Sequence, residues 1–289
     1  MKQSGMATAT VSTTKERALD ALKFLPPFSQ IHNRLIASLA LPDVSFAKMA
    51  ELIEKDTAIA GNILSLANSP LYGQLGAVNS VRHAIAILGI NKVRNVTLSM
   101  SLASTWKQVK ATPSYSIREF NLNAVAVAIL CDLLAQQLRA EYVESAFVAG
   151  LFHDLGRRLS AISVPDEYME LSGLYLESGL WPVDCERQLF GFTLAELSAD
   201  VLAIWNLPVP IRNAVRYQDT PELDAPGTKT NLSLILNVAR RYIDESGTTP
   251  PMQKRAETGR DINSLELDDG VDAVLSDFKD EFDAIKAYF

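Results

Sequence analysis

Apolar side chains recur at helical spacing along almost the whole chain. Residues 46–54 (FAKMAELIE) place Phe46, Met49, Ala50 and Ile53 on one face, and Pro42-Asp43 ahead of them marks a turn and a helix start. Residues 57–67 continue as a helix that Asn68-Ser69-Pro70 stops, because proline disfavours α geometry in the residue before it. Residues 79–88 carry Val81, Ala84, Ile85 and Leu88 in a helical stripe. Gly89 then admits a left-handed cap, and Asn91 caps a new helix running to Trp106. Further helices are expected over 118–138, 142–152, 184–204, 209–217 and 230–244, with Asn206-Leu207-Pro208 separating the third from the fourth. No alternating strand pattern bounded by hairpin turns interrupts the series. The pattern predicts an all-α chain: an N-terminal helical bundle packed on a second bundle, followed by a C-terminal amphipathic helix.

Charge sharpens that division. The chain has 289 residues with 27 basic and 34 acidic side chains, a formal net charge of −7. Nine acids and two lysines lie in 261–289, which leaves 25 of each sign in 1–260. The body is neutral and the net charge sits in the tail. A neutral body has no global field to attract nucleic acid. The stretch 246–260 is polar, holds Pro250-Pro251 and reads as a linker. Beyond it Leu275, Phe278, Phe282, Ile285 and Phe289 form a stripe with acids opposite, so 261–289 is expected to be an acidic amphipathic helix. Such a stripe serves either the chain's own body or a partner. Residues 1–16 are Ser-, Thr- and Ala-rich with nothing to bury and are expected to be disordered.

Two cysteines, Cys131 and Cys185, exclude a disulfide scaffold and a cysteine-only zinc site. Any histidine-based metal centre must draw on His32, His83 and His153. There is no apolar run of spanning length and no signal-peptide core, so no membrane association is expected and the location is read as cytoplasmic. Ser-His-Asp chemistry lacks its elbow motif, and a Gly-rich phosphate loop is absent.

The one catalytic-looking constellation is His153-Asp154, within Ala149-Gly150-Leu151-Phe152-His153-Asp154-Leu155-Gly156. Neutral imidazole and carboxylate suit Zn, Mn or Fe. The plainer reading is structural, with Asp154 capping a helix and His153 packed. This segment resembles the core motif of the HD superfamily of metal-dependent phosphohydrolases. More of the chain resembles one branch, the HDOD (HD-related output) domain of bacterial signalling proteins. Phe24-Leu25-Pro26-Pro27 is similar to its opening Leu-Pro element, and residues 53–60 (IEKDTAIA) to its "I-x-x-D-P-x-L-x" stretch with Thr57 in the usual Pro place. Residues 64–69 (LSLANS), 80–89 (SVRHAIAILG) and Trp205-Asn206-Leu207-Pro208 resemble three further elements, in order, over about 17–245. The resemblance implies an HDOD domain over 17–245, with an N-terminal helical subdomain (17–110) and an HD-type subdomain (115–245).

It also implies where a metal site would lie, and there the chain departs from the family. The earlier-helix His falls on Asn123, the late-helix Asp on Arg240, a further family His near Leu194, and a last one at Tyr217-Gln218. His153 and Asp154 alone remain as vestigial metal ligands, whereas a catalytic cation normally has three or more protein ligands. Arg240, if it faces the pair, repels a divalent cation and is available to Asp154; a one-turn shift would bring Asp244 there instead. Asp132 is the other acid that could compensate. No catalytic or cofactor-binding residue is therefore assigned, and no cofactor is expected. A divalent metal belongs to the alternative reading.

Two weaker signals complete the survey. Arg82, Lys92 and Arg94 flank the Leu88-Gly89-Ile90 corner, a shape that could grip phosphate, but a solvated corner is the plainer reading and nucleic acid is not expected as a partner. Arg157-Arg158 could face a cyclic nucleotide, although adjacent arginines at a helix end usually serve as surface charge. The expected function is a non-catalytic regulatory module of bacterial signal transduction, acting through protein partners or a small nucleotide-like ligand in a vestigial cleft of His153, Asp154, Asn123 and Arg240. The alternative is a divalent-metal phosphohydrolase acting on a nucleotide or phosphodiester.

Overall fold

The computed structural model describes residues 14–20, 22, 45–73, 77–107, 116–177, 182–224, 230–247, 261–267 and 270–289, and among them helices are the only regular structure. The chain is all-α. It divides into two compact units: residues 26–108 with 272–289, and residues 1–25 with 109–271. His32 and the Phe24-to-Pro27 element lie outside the described residues.

The smaller unit begins with α1 (Phe46–Glu54) and α2 (Thr57–Ala67), each started by a side chain that accepts the otherwise orphaned amides of its first turn: Ser45 from Lys48, Asp56 from Ala58 and Ile59. Asn68 ends α2 and holds the loop behind it. Its Nδ2 donates to the Leu64 and Val78 carbonyls, and its Oδ1 accepts from the Val78 amide, each at 2.8 Å. Helix α3 (Val81–Leu88) runs into α4 (Ile90–Trp106) through Gly89 at φ 81° and ψ 151°, a combination open essentially to glycine. Gly89 thus serves as both caps, and Asn91 lies inside α4 rather than ahead of it. Every residue of α4 from Val93 to Ala103 is buried.

The larger unit holds the helical residues 14–20 and eight longer helices. The segment 14–20 corrects the expectation of disorder at 14–16, since Thr14 and Ala18 are buried and Lys15 pairs with Asp200 at 2.8 Å. It also clusters with this unit rather than with the N-terminal bundle. Helices α5 (Ile117–Gln137) and α6 (Val143–Phe152) form its closest pairing. The rest are α7 (Leu155–Ser163), α8 (Pro165–Glu177), α9 (Pro182–Phe190), α10 (Leu194–Ile204), α11 (Val209–Arg216) and α12 (Leu232–Ser246). The span 184–204 is two helices, parted at Gly191 (φ 76°) and restarted by a reciprocal Thr193–Glu196 capping box.

The tail is shorter as a helix than expected. Residues 262–264 form one 3₁₀ turn, with Ile262, Leu265 and Leu267 buried in the larger unit, and α13 spans Val271–Ile285. Its stripe is buried in the smaller unit through Val274, Phe278, Phe282 and Ile285, while Leu275 and Phe289 are half-buried.

Two glycines beside the His-Asp pair are there for close packing. A Cβ on Gly150 would stand 2.6 Å from the Ala128 Cα, and one on Gly156 would stand 2.1 Å from the Leu194 carbonyl oxygen. Both clashes are with backbone, which cannot swing aside. Gly156→Ala should therefore cost about 1–3 kcal/mol and lower Tm by several degrees. Gly61→Ala, within α2 and with nothing inside 4 Å of the added Cβ, should be neutral or raise Tm. Thermal melts of the two variants check both signs.

Candidate functional site: a buried network of ion pairs

The His-Asp pair sits at the joint between α6 and α7, where the chain must turn sharply inside the core. His153 is buried, and its Nδ1 lies 2.7 Å from the Gly150 carbonyl oxygen, which makes Nδ1 the protonated nitrogen. Burial pushes its pKa down, against the pull of Asp154, so the ring is neutral. The His153 carbonyl accepts from Ser198 Oγ at 3.2 Å and from Gln218 Nε2 at 3.0 Å, and Ser198 Oγ also accepts the Gly156 amide at 2.7 Å. Side chains from α10 and from beyond α11 thus hold the turn through its backbone.

Asp154 occupies the N-cap position of α7 but does not cap it. Its Oδ1 accepts instead from Arg157 Nε at 2.9 Å. The expectation that Arg157 and Arg158 are surface charges is corrected: they are 2% and 4% exposed and sit in the first turn of α7. Arg158 donates to Asn121 Oδ1 at 2.8 Å and lies over the Phe120 ring. Arg157 is the centre of a wider cluster. Burial works against its charge, but Asp154, Tyr168, Tyr175 and Glu186 outweigh it and hold the guanidinium firmly protonated. Glu186 is itself buried, accepting from Tyr175 Oη at 2.7 Å and from the Leu194 amide at 2.8 Å. Burial, with Asp219 nearby, pushes its pKa up to about 7.

Arg240, at the late-helix position, does face this region but does not take Asp154. It donates to Asp219 Oδ1 at 2.9 Å, in a pair whose side chains are 7% and 18% exposed. Burial pushes Asp219 up to about 6 against the pull of Arg157, so the carboxylate is charged at neutral pH. Asn123 is buried and hydrogen-bonds Asp244, which stands on the open side of α12. The structure thus brings His153, Asp154, Asn123 and Arg240 into one region of the larger unit. It adds Glu186, Ser198 and Asp219, which the sequence reading did not assign to a site, together with Arg157, weighed there as facing a cyclic nucleotide, and Gln218, where the resemblance puts a last family His. Leu194 meets it through its backbone, the amide donating to Glu186 and the carbonyl accepting from Ser198 Oγ at 2.9 Å. Asp132 is turned to Gln136 on its own helix, and His83 is exposed in the smaller unit.

The donor set does not fit a divalent metal. His153 retains a lone pair on Nε2, but Asp154 and Asp219 are each already engaged by a guanidinium, and Asn123 offers only a neutral oxygen. A dication would meet two fixed positive charges, each already paired with the carboxylate it would have to share. Among the described residues no group of three or more His, Cys, Asp or Glu side chains is placed to hold a metal ion.

The phosphate-gripping corner fares no better. Lys92 is paired with Glu281 and donates to Tyr72 Oη at 2.9 Å, and Arg94 is buried, which leaves Arg82 as the exposed member of the trio. Among the described residues no helix is long and apolar enough to cross a membrane.

A family model of the HDOD domain matches residues 25–221, and the chain belongs to that family. A Treponema pallidum protein is 24% identical over 215 residues, 72% of this chain and 40% of that protein, so the chain spans well under half the length of this relative. An HDOD domain protein from Geobacter sulfurreducens has the same fold, with a TM-score of 0.73 and 21% identity over 94% of this chain and 98% of its own. A Shewanella amazonensis structure whose name proposes a phosphohydrolase matches with a TM-score of 0.72 and 20% identity, over 94% of this chain and 97% of its own. A Marinobacter aquaeolei structure whose name proposes a signal-transduction role matches with a TM-score of 0.71 and 22% identity, over 97% of this chain and 64% of its own.

The buried carboxyl of Glu186 gives the site a pH signature. Its folded pKa, about 7, lies above the ordinary 4.5, so the stability it contributes is full below pH 4.5 and is lost as pH rises through 7. The loss is on the order of 3 kcal/mol. Glu186→Gln should flatten the fall in Tm between pH 5 and 7 relative to the native chain. Paired melts across that range read the difference in slope, whatever the absolute Tm of the variant.

Proposed function

We propose that this HDOD chain is a non-catalytic regulatory module of signal transduction, working in the cytoplasm through protein contacts or a small ligand in the vestigial cleft. The observation that carries this reading is the pairing of Asp154 with Arg157 and of Asp219 with Arg240. A catalytic cation is normally held by three or more protein ligands whose negative charge is not already offset by a guanidinium. Here each of these carboxylates has an internal one. The signal-transduction name of the Marinobacter aquaeolei structure agrees with the proposal. The phosphohydrolase name of the Shewanella amazonensis structure supports the alternative, a metal-dependent hydrolase of a nucleotide or phosphodiester, and so does the neutral His153 ring with its Nε2 lone pair.

Metal content separates the two. Tag-free protein is stripped with chelator, re-exposed to Mn, Fe, Zn and Mg, and measured by elemental mass spectrometry beside Asp154→Ala. Background metal in both proteins is the expected result; near-stoichiometric metal that disappears in the variant would sink the proposal. The same variant should lose stability on the order of 3 kcal/mol, because it removes the ion-pair partner of a buried guanidinium. Its thermal melt checks that loss.

A further inference from the structure

The helical residues 14–20 lie ahead of the family match, which begins at residue 25. Isolated helices shorter than about 12–15 residues are marginal in water, so this one takes its shape from what it rests on. Its seat in the larger unit is well defined. Ala18 is fully buried in a cluster with Tyr168 and Tyr175 of α8, Cys185 and Phe190 of α9, and Phe192 just beyond, and Leu19 packs against that cluster. Two ion pairs fasten the segment. Lys15 meets Asp200 at 2.8 Å, with its ammonium 5.5 Å from the centre of the Phe192 ring, and Arg17 meets Glu167 at 2.5 Å.

Each part of this hold is weak. The buried side chains are Thr14 and Ala18, which are small and bring little apolar area. The four side chains of the ion pairs are between 29% and 54% exposed, where water and salt screen them. The seam is also unfilled. A cleft of about 560 Å³ is lined by Lys15, Glu16 and Leu19 of the segment and by Arg187, Phe192 and Glu196 of the body.

We propose that residues 14–20 are an electrostatically held strap whose release uncovers the α8–α9 flank of the buried charge network. The cluster that Ala18 closes contains Tyr168 and Tyr175, which answer the charge of Arg157 together with Glu186, the neighbour of Cys185. Docked, the strap keeps water from that flank. Released, it loses its helix and leaves the cluster open where Ala18 had filled it. Counter-ions that compete for Lys15 and Arg17 favour release. The strap covers this flank whether the region serves regulation or hydrolysis, so the metal measurement leaves it untouched.

The two cysteines read the strap in the full chain. Both are fully buried, and Cys131 lies within α5 and reports general opening. Short pulses of N-ethylmaleimide followed by peptide mass spectrometry give the labelling rate of each. In the native chain the Cys185 rate should rise at least threefold between about 0.05 and about 0.5 M salt. Lys15→Glu/Arg17→Glu should raise it at least tenfold at the lower salt and leave the Cys131 rate unchanged. Arg17→Glu alone should raise it less, and Glu167→Arg added to that variant should bring it back toward the native rate. A Cys185 rate that the charge reversals do not change would overturn the strap. Equal rises at both cysteines would do the same, because they would make residues 14–20 part of the cooperative core. A swapped pair that restores no protection would remove Arg17–Glu167 as a latch and overturn the electrostatic hold.

Discussion

A guanidinium that is 2% exposed needs its charge answered from within the protein, and around Arg157 the larger unit is built to do so. Asp154 answers it from the preceding turn, Glu186 from α9, and Tyr168 and Tyr175 from α8. Each of those groups is in turn placed by something else. Glu186 is fixed by the Leu194 amide at the start of α10, and Leu194 is the residue whose carbonyl leaves Gly156 no room for a Cβ. Four helices therefore depend on one buried cation. Breaking such a network is expensive even where forming it gains little, since the cost lies in the charge left behind.

The second pair, Asp219 with Arg240, repeats the arrangement at the rim of the same region. Together the two pairs fix the charge state of the region: Asp154 and Asp219 are each answered by a guanidinium, and the His153 ring is neutral.

The helices of the fold were legible because their signals are local. The Asn68-Ser69-Pro70 stop follows from the chemistry of three residues, and α1 and α2 have the bounds their stripes predict. Helix α7 is harder to see, since Arg157, Arg158 and Ser160 are buried and its polar positions do not mark a solvent face. The break at Gly191 is hidden because Thr193 and Glu196 restart a helix within two residues. The site was half legible. Register placed Asn123 and Arg240 in the right region. It could not supply Asp219 or Ser198, which lie in later parts of the chain than His153 and meet it and its neighbours only through tertiary packing. Nor could it tell that Asp154 would turn to Arg157 three residues on, since a carboxylate at an N-cap position ordinarily caps.

The HD motif is held here by packing and by hydrogen bonds. Gly150 lets α6 lie against Ala128, Gly156 lets α7 lie against Leu194, and His153 is held through its ring by Gly150 and through its carbonyl by Ser198 and Gln218. Change any one of these and the α6–α7 joint must open. Packing alone therefore places a demand on the motif at this joint. In this fold the dipeptide reports how two helices are joined. The groups that stand opposite it, here two guanidiniums and an amide, decide the chemistry.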